Sequence, residues 1–278
     1  MRLFHVCNQL LVIALLSACT APASVMQRMS SADLLAEAHG WQRVSLVNEP
    51  LPVVAYLNPG WRRVSQLAVY IEGDGFAWAS SDTPSDNPTP NRPIALMLAL
   101  RDGMNGAVYL ARPCQFVAAI EATRCDVAHW TRERFSGEIV AVMQQALDEL
   151  KRLGAAQDIH LIGYSGGAAI ALLMAAQRTD VSKVTTVAGN LDIEAWTRHH
   201  RVSPLQGSLN PADFSSRLGT LNQLHFVGSK DRIVPPGIAQ SYAARFPHAQ
   251  RPRVIVIDGF DHECCWVERW PQLSTSAP

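Results

Sequence analysis

The stretch DIHLIGYSGGAAIALLMAA, residues 158–176, constrains the chain more than any other. An apolar run of strand length leads into a glycine-rich turn. The turn opens a segment, 167–178, that is apolar nearly all round. A helix without a polar face must be buried, so this strand–turn–helix unit belongs at the centre of a fold.

Strand and helix signals alternate around it. Segments 41–47 and 51–57 read as strands, and Asn48-Glu49-Pro50 between them is a hairpin signal. Residues 66–71 form an apolar strand that runs into a glycine-rich turn. The stretch 80–93, rich in Pro, Ser, Asp and Asn, is a loop. A helix at 94–101 and a buried strand at 107–111 follow. The segment 136–154 carries a helical apolar repeat through Ile139, Val142, Met143, Ala146, Leu147 and Leu150, with Ser136 ahead of it. Further strands lie at 158–163, 183–189, 221–228 and 253–259, with a helix at 237–246. This alternation predicts an α/β fold with a mostly parallel sheet of roughly eight strands and helices on both faces. The domain spans 41–278, without an internal repeat. Ahead of it, a short helix is expected within 30–40, capped by Ser30 or Ser31 and ended by Gly40.

With 48% hydrophobic residues the chain can bury a sizeable core. Its 24 Lys and Arg balance 24 Asp and Glu, and no basic stripe occurs. Nothing here has the electrostatic footprint of nucleic-acid binding.

Ligands of open parallel α/β sheets bind beyond the carboxyl ends of the strands, so the residues just past each strand carry the functional signal. Glu72-Gly73-Asp74-Gly75 follows the strand ending at Ile71, and Ser165 follows the one ending at Gly163. Asp231 follows the strand ending at Gly228, and Asp258, Asp261 and His262 follow the last. A serine hydroxyl needs an adjacent imidazole to take its proton. The imidazole in turn needs a carboxylate to fix its tautomer. Ser165, Asp231 and His262 supply these groups in that chain order. Asp258 and Asp261 lie nearer His262 in sequence, and Asp192 is a further alternative. Backbone N–H donors for a developing oxyanion are expected at Gly166 and Asp74.

In its order Ser…Asp…His and its Gly163-Tyr164-Ser165-Gly166-Gly167 turn, the chain resembles the serine hydrolases of the α/β-hydrolase superfamily. The resemblance covers roughly 41–270. It implies a cofactor-free esterase-like enzyme with a small or medium ester as substrate. A peptidase or amidase, or a non-catalytic envelope protein that binds through a hydrolase-shaped cleft, remains an alternative. It also implies that 190–215 is a short cap over the substrate pocket. The chain departs from the family where its oxyanion turn opens with Glu72-Gly73 rather than His-Gly. Glu72 and Asp74 serve the turn, or one of them binds a substrate amine. No metal ion is expected: adjacent His199 and His200 converge poorly on one ion, and zinc-ribbon cysteine spacing is absent.

The first 18 residues read as a signal peptide, with one early Arg and an apolar stretch too short to span a bilayer. Leu16-Ser17-Ala18-Cys19 resembles the bacterial lipoprotein signal, which implies lipidation of Cys19 and the periplasmic side of the outer membrane, with 19–40 as a lipid-anchored tether, polar over 20–29, and the short helix. A plain secretory signal, cut after Ala18 or Ala23, is the alternative. In either case the mature chain meets an oxidising compartment. Cys114, Cys125, Cys264 and Cys265 then allow three full pairings. The local bridge Cys114–Cys125 is favoured. The adjacent Cys264 and Cys265 are left open, since their Cα atoms, about 3.8 Å apart, lie below the usual disulfide range.

Overall fold

The strands carry apolar side chains on both faces, and successive side chains of a strand point to opposite sides. Two cores result. Leu67, Val69 and Ile71 enter one of them, while Ala68 and Tyr70 enter the other. The computed structural model describes residues 23–104, 106–118 and 121–275. The expected signal peptide and the expected lipidation site, Cys19, lie outside the described residues.

Eight strands form one sheet: β1 (Gln42–Val47), β2 (Val53–Leu57), β3 (Gln66–Ile71), β4 (Ala107–Leu110), β5 (Asp158–Tyr164), β6 (Val181–Val187), β7 (Asn222–Gly228) and β8 (Arg253–Ile257). Their order is β1-β2-β4-β3-β5-β6-β7-β8. The sheet is mixed: it is mostly parallel, as expected, with antiparallel pairing confined to its first two strands. β1 pairs antiparallel with β2, and β2 antiparallel with β4, while β3 to β8 run parallel. The reason lies in the connections. Strands joined by a short turn must reverse direction, whereas parallel neighbours need a crossover.

Among the described residues eight α-helices flank or connect these strands: α1 (Val25–Glu37), α2 (Ile94–Arg101), α3 (Gly137–Gly154), α4 (Gly166–Ala175), α5 (Ile193–His200), α6 (Ser215–Leu218), α7 (Pro236–Ala243) and α8 (Trp266–Thr275). α3, α4 and α7 contribute to the first core, and α1, α2 and α8 to the second. All ten residues of α4 are buried, as its lack of a polar face requires. α3 starts where Ser136 accepts from the Ile139 N–H.

α1 begins earlier than expected. Ser24 caps it, and Gln27 closes a reciprocal capping box, so 25–29 is helical rather than tether. Met29, Ala32 and Ala36 then reach the second core.

Both cysteine pairs are bonded, Cys114 to Cys125 and Cys264 to Cys265. The first closes a loop of 11 residues' separation. In the chain-entropy description such a closure contributes about 2 to 3 kcal/mol. The double variant Cys114→Ala/Cys125→Ala is therefore expected to unfold with ΔG lower by about that amount, measured by urea denaturation. A loss below about 0.5 kcal/mol would contradict the bridge's stabilising role.

Candidate active site

The parallel strands end on one side of the sheet, and the candidate residues gather there. Ser165 stands between β5 and α4 with φ 51° and ψ −119°, a region that costs a non-glycine residue of order 1–3 kcal/mol. Three backbone hydrogen bonds hold it there. Its N–H donates to Val187, and its carbonyl accepts from Ala168 and Asn190, all at 3.0–3.1 Å. The turn also needs α4 close against the sheet. A Cβ on Gly163 would lie 2.4 Å from the Ala168 Cα, so only glycine fits.

The Ser165 hydroxyl meets His262, whose Nε2 lies 3.0 Å from Oγ. On the other side of the ring, His262 Nδ1 lies 2.8 Å from the Asp231 Oδ2. With the proton on Nδ1 donated to Asp231, Nε2 is left to accept from Ser165. The Asp231 side chain is fully buried. Its Oδ1 accepts the N–H groups of Ile233 and Val234, each at 2.8 Å. Tyr164 steadies the histidine loop, donating its hydroxyl to the His262 carbonyl at 3.0 Å.

The other acids near His262 are committed elsewhere. Asp258 accepts from Ser229, and Asp261 accepts the N–H groups of Glu263 and Cys264. Asp192 caps α5 and accepts from Ser241. Of the four carboxylates weighed in the sequence, Asp231 is the one that reaches the imidazole. His199 and His200 stack edge to face, and His200 Nε2 contacts the Ile233 carbonyl at 2.8 Å.

The turn after β3 lies beside Ser165. Glu72 is buried, and its Oε1 accepts the Gly73 N–H at 2.9 Å. Gln115 donates to the Gly73 carbonyl at 3.0 Å. Gly73's amide is thus occupied, whereas the Asp74 N–H has no protein acceptor among the described residues. Gly166 opens α4, where a first-turn N–H has no partner within the helix. The Asp74 carboxylate contacts Arg112 at 3.3 Å and Arg134 at 3.0 Å.

Ser165 and His262 open into a cleft of about 500 Å³. Aromatic and apolar walls come from Phe76, Trp78, Trp196 and Ile233, and ionisable side chains from Glu72, Asp74, Arg92, Arg134 and Glu263. Trp196 belongs to the 190–215 stretch and donates its Nε1 hydrogen to the Ile233 carbonyl. The arginines and Gln115 escape a reading confined to the ends of β3, β5, β7 and β8. The same rule applied to β4, which ends at Leu110, finds Arg112 two residues on.

Comparison with solved structures decides the architecture. Est1E from Butyrivibrio proteoclasticus superposes with a TM-score of 0.58 at 13% identity, covering 84% of this chain and 98% of that one. An alpha-beta serine hydrolase homologue from Coxiella burnetii matches with a TM-score of 0.56 at 16% identity, covering 85% and 95%. The esterase domain of a Rhodothermus marinus protein matches at 0.52 and 17%, covering 85% and 97%. The chain has the α/β-hydrolase fold. No family model matches it, and no curated protein sequence does.

On this hydrolase fold the Glu72 carboxyl is the site's most displaced acid. Burial pushes it up to about 7, against opposing hydrogen bonds from Gly73 and Ala95. Between the ordinary carboxylate value and about 7, the native state holds a proton that the unfolded chain has released. Stability therefore falls as pH rises through that window, by about 3 kcal/mol in all. Glu72→Gln keeps an acceptor for Gly73 and removes the titration. Its stability relative to wild type is expected to improve by about 3 kcal/mol from about pH 4 to about pH 8, in denaturant titrations at both. A gap that does not change with pH would contradict the assignment.

Proposed function

We propose that the protein is a serine hydrolase that cleaves carboxylic esters of small or medium size through an acyl-enzyme, without cofactor or metal ion. The continuous hydrogen-bonded chain Ser165–His262–Asp231, opening into the cleft, carries this reading. Ser165 Oγ attacks the ester carbonyl while His262 Nε2 takes its proton. Asp231 orients the ring and stabilises the imidazolium. The Asp74 and Gly166 N–H groups receive the oxyanion, and each such donor is worth roughly 3–4 kcal/mol in comparable enzymes. The imidazolium then protonates the departing alcohol. Water, activated by the same histidine, releases the acid.

The aromatic walls and the short 190–215 cap favour a compact acyl or alcohol group over a long chain. Est1E, which shares the fold, has been solved with ferulic acid bound. The place of action is the cell envelope. The mature chain starts at Cys19, lipidated and anchored on the periplasmic side of the outer membrane. The two disulfides support an oxidising compartment.

Stopped-flow hydrolysis of 4-nitrophenyl butyrate tests the mechanism. The wild type is expected to release a burst near one equivalent of nitrophenol before steady turnover. Ser165→Ala loses both phases, and Asp231→Asn lowers kcat about 10⁴-fold. Full turnover by Ser165→Ala would overturn the assignment. Turnover of a matched amide but not the ester would replace esterase by amidase.

A further inference from the structure

The cleft contains a charge that the ester chemistry does not use. Arg112 and Arg134 share the single carboxylate of Asp74, and both guanidinium side chains are only 5% exposed. Their remaining contacts are neutral. Arg112 donates to the Arg134 carbonyl, and Arg134 Nη1 donates to the Thr131 carbonyl at 3.2 Å. Arg134 meets Asp74 through its Nε, 3.0 Å from Oδ2, while the Nε of Arg112 is buried without a hydrogen-bond acceptor. Two cations facing one anion leave an excess positive charge. A buried charge is costly unless it is paired.

The neighbouring acids do not supply the missing counter-charge. Glu72 is held by backbone N–H groups of its own turn and of α2. Glu263 pairs with Arg92 at 3.6 Å on the exposed rim. Asp231 is bound to His262.

Arg134 brings the excess charge to the substrate. It lines the cleft together with Ser165, whereas Arg112 does not. Its guanidinium lies 5.4 Å from the Trp196 ring centroid and 5.3 Å from that of Phe135. Two neighbouring ring faces restrict the orientation of such a planar group. Its Nη2 donates to no acceptor among the described residues. The Asp74 carboxylate that holds Arg134 in turn sits over Gly166, where a Cβ would approach its Oδ1 to 2.0 Å. The cation is therefore built into the wall next to the oxyanion turn.

We propose that Arg134 is a specificity-determining residue that binds a carboxylate on the substrate, so that the preferred substrates are esters carrying a second, ionised acid group. The simplest member of the class is a monoester of a dicarboxylic acid. A guanidinium fork matches a carboxylate in shape and charge. The apolar cleft wall of Phe76, Trp78 and Ile233 receives the connecting carbons. This inference rests on Ser165 being the nucleophile.

Two matched pairs of esters test it. In one pair the charge is on the acyl part, 4-nitrophenyl hemiglutarate against 4-nitrophenyl pentanoate. In the other it is on the alcohol part, the butyrate ester of 4-hydroxybenzoate against that of its methyl ester. The wild type is expected to favour the charged member of one pair by about 10- to 100-fold in kcat/KM. The pair that shows the preference locates the carboxylate on the acyl or alcohol side. Arg134→Met abolishes the preference while still hydrolysing the neutral ester, and Arg134→Lys restores part of it. A folding defect would lower both members together and leave their ratio unchanged. The wild-type ratio, measured without any variant, is a second check. Equal rates within both pairs would overturn the subsite and leave the serine hydrolase reading standing. No hydrolysis of any ester would instead overturn the reading on which the subsite rests.

Discussion

The close seating of α4 against β3 and β5 is the constraint on which the rest of the site depends. A Cβ at Gly167 would come within 2.4 Å of the carbonyl oxygens of Ile71 and Glu72, and one at Gly163 would strike the backbone of Ala168. Because these positions are glycine, the amino end of α4 can reach the ends of both strands. Ser165 is then forced into its positive-φ conformation, and the surrounding hydrogen bonds to Val187, Ala168 and Asn190 hold it there. The same seating brings the turn at Glu72-Gly73-Asp74 beside the serine. The conformation of Ser165 and the two amides beside it, unpartnered among the described residues, are thus consequences of a single packing contact. An all-apolar helix makes that contact favourable, since α4 buries every one of its residues.

Around this contact the acids are sorted by their partners. Asp231 is buried but accepts two backbone N–H groups besides the imidazole, an arrangement that stabilises a carboxylate out of water. At Glu72 desolvation by burial outweighs the hydrogen bonds it accepts, and it retains its proton up to about 7. Asp74 takes two guanidinium partners. Three acids within one site thus have three different electrostatic roles, each set by the donors the fold aims at it. The two acidic residues of the turn after β3 are integrated in this way. Glu72 braces the turn from inside, and Asp74 anchors the arginines from outside.

Much of this was legible in the sequence. Strand, turn and helix signals locate Ser165, Asp231 and His262 at the ends of β5, β7 and β8, and the parallel sheet carries those ends to one edge. The choice of Asp231 over Asp258 and Asp261 was not legible. All three lie just beyond strands, and only the tertiary direction of their side chains separates them. Arg134 was hidden for a different reason. It lies in a long connection between β4 and α3, and no periodic pattern shows where such a loop returns. The Cys114–Cys125 bridge and the Gln115 contact to Gly73 are what fold that connection back over the site. The start of α1 was missed although its capping signature, Ser24 with Gln27, is present. The mixed character of the sheet was implied by the hairpin at 41–57, whose second strand carries its reversed direction to β4.

The central claim is that the fold activates one serine. Reaction of the purified mature protein with a fluorophosphonate, followed by peptide mass mapping, tests it most directly. One phosphonyl group per chain is expected, carried by the peptide containing Ser165, and it is absent from Ser165→Ala and strongly slowed in His262→Ala. A folded wild type that takes up no label, or takes it up at another residue, would contradict the account.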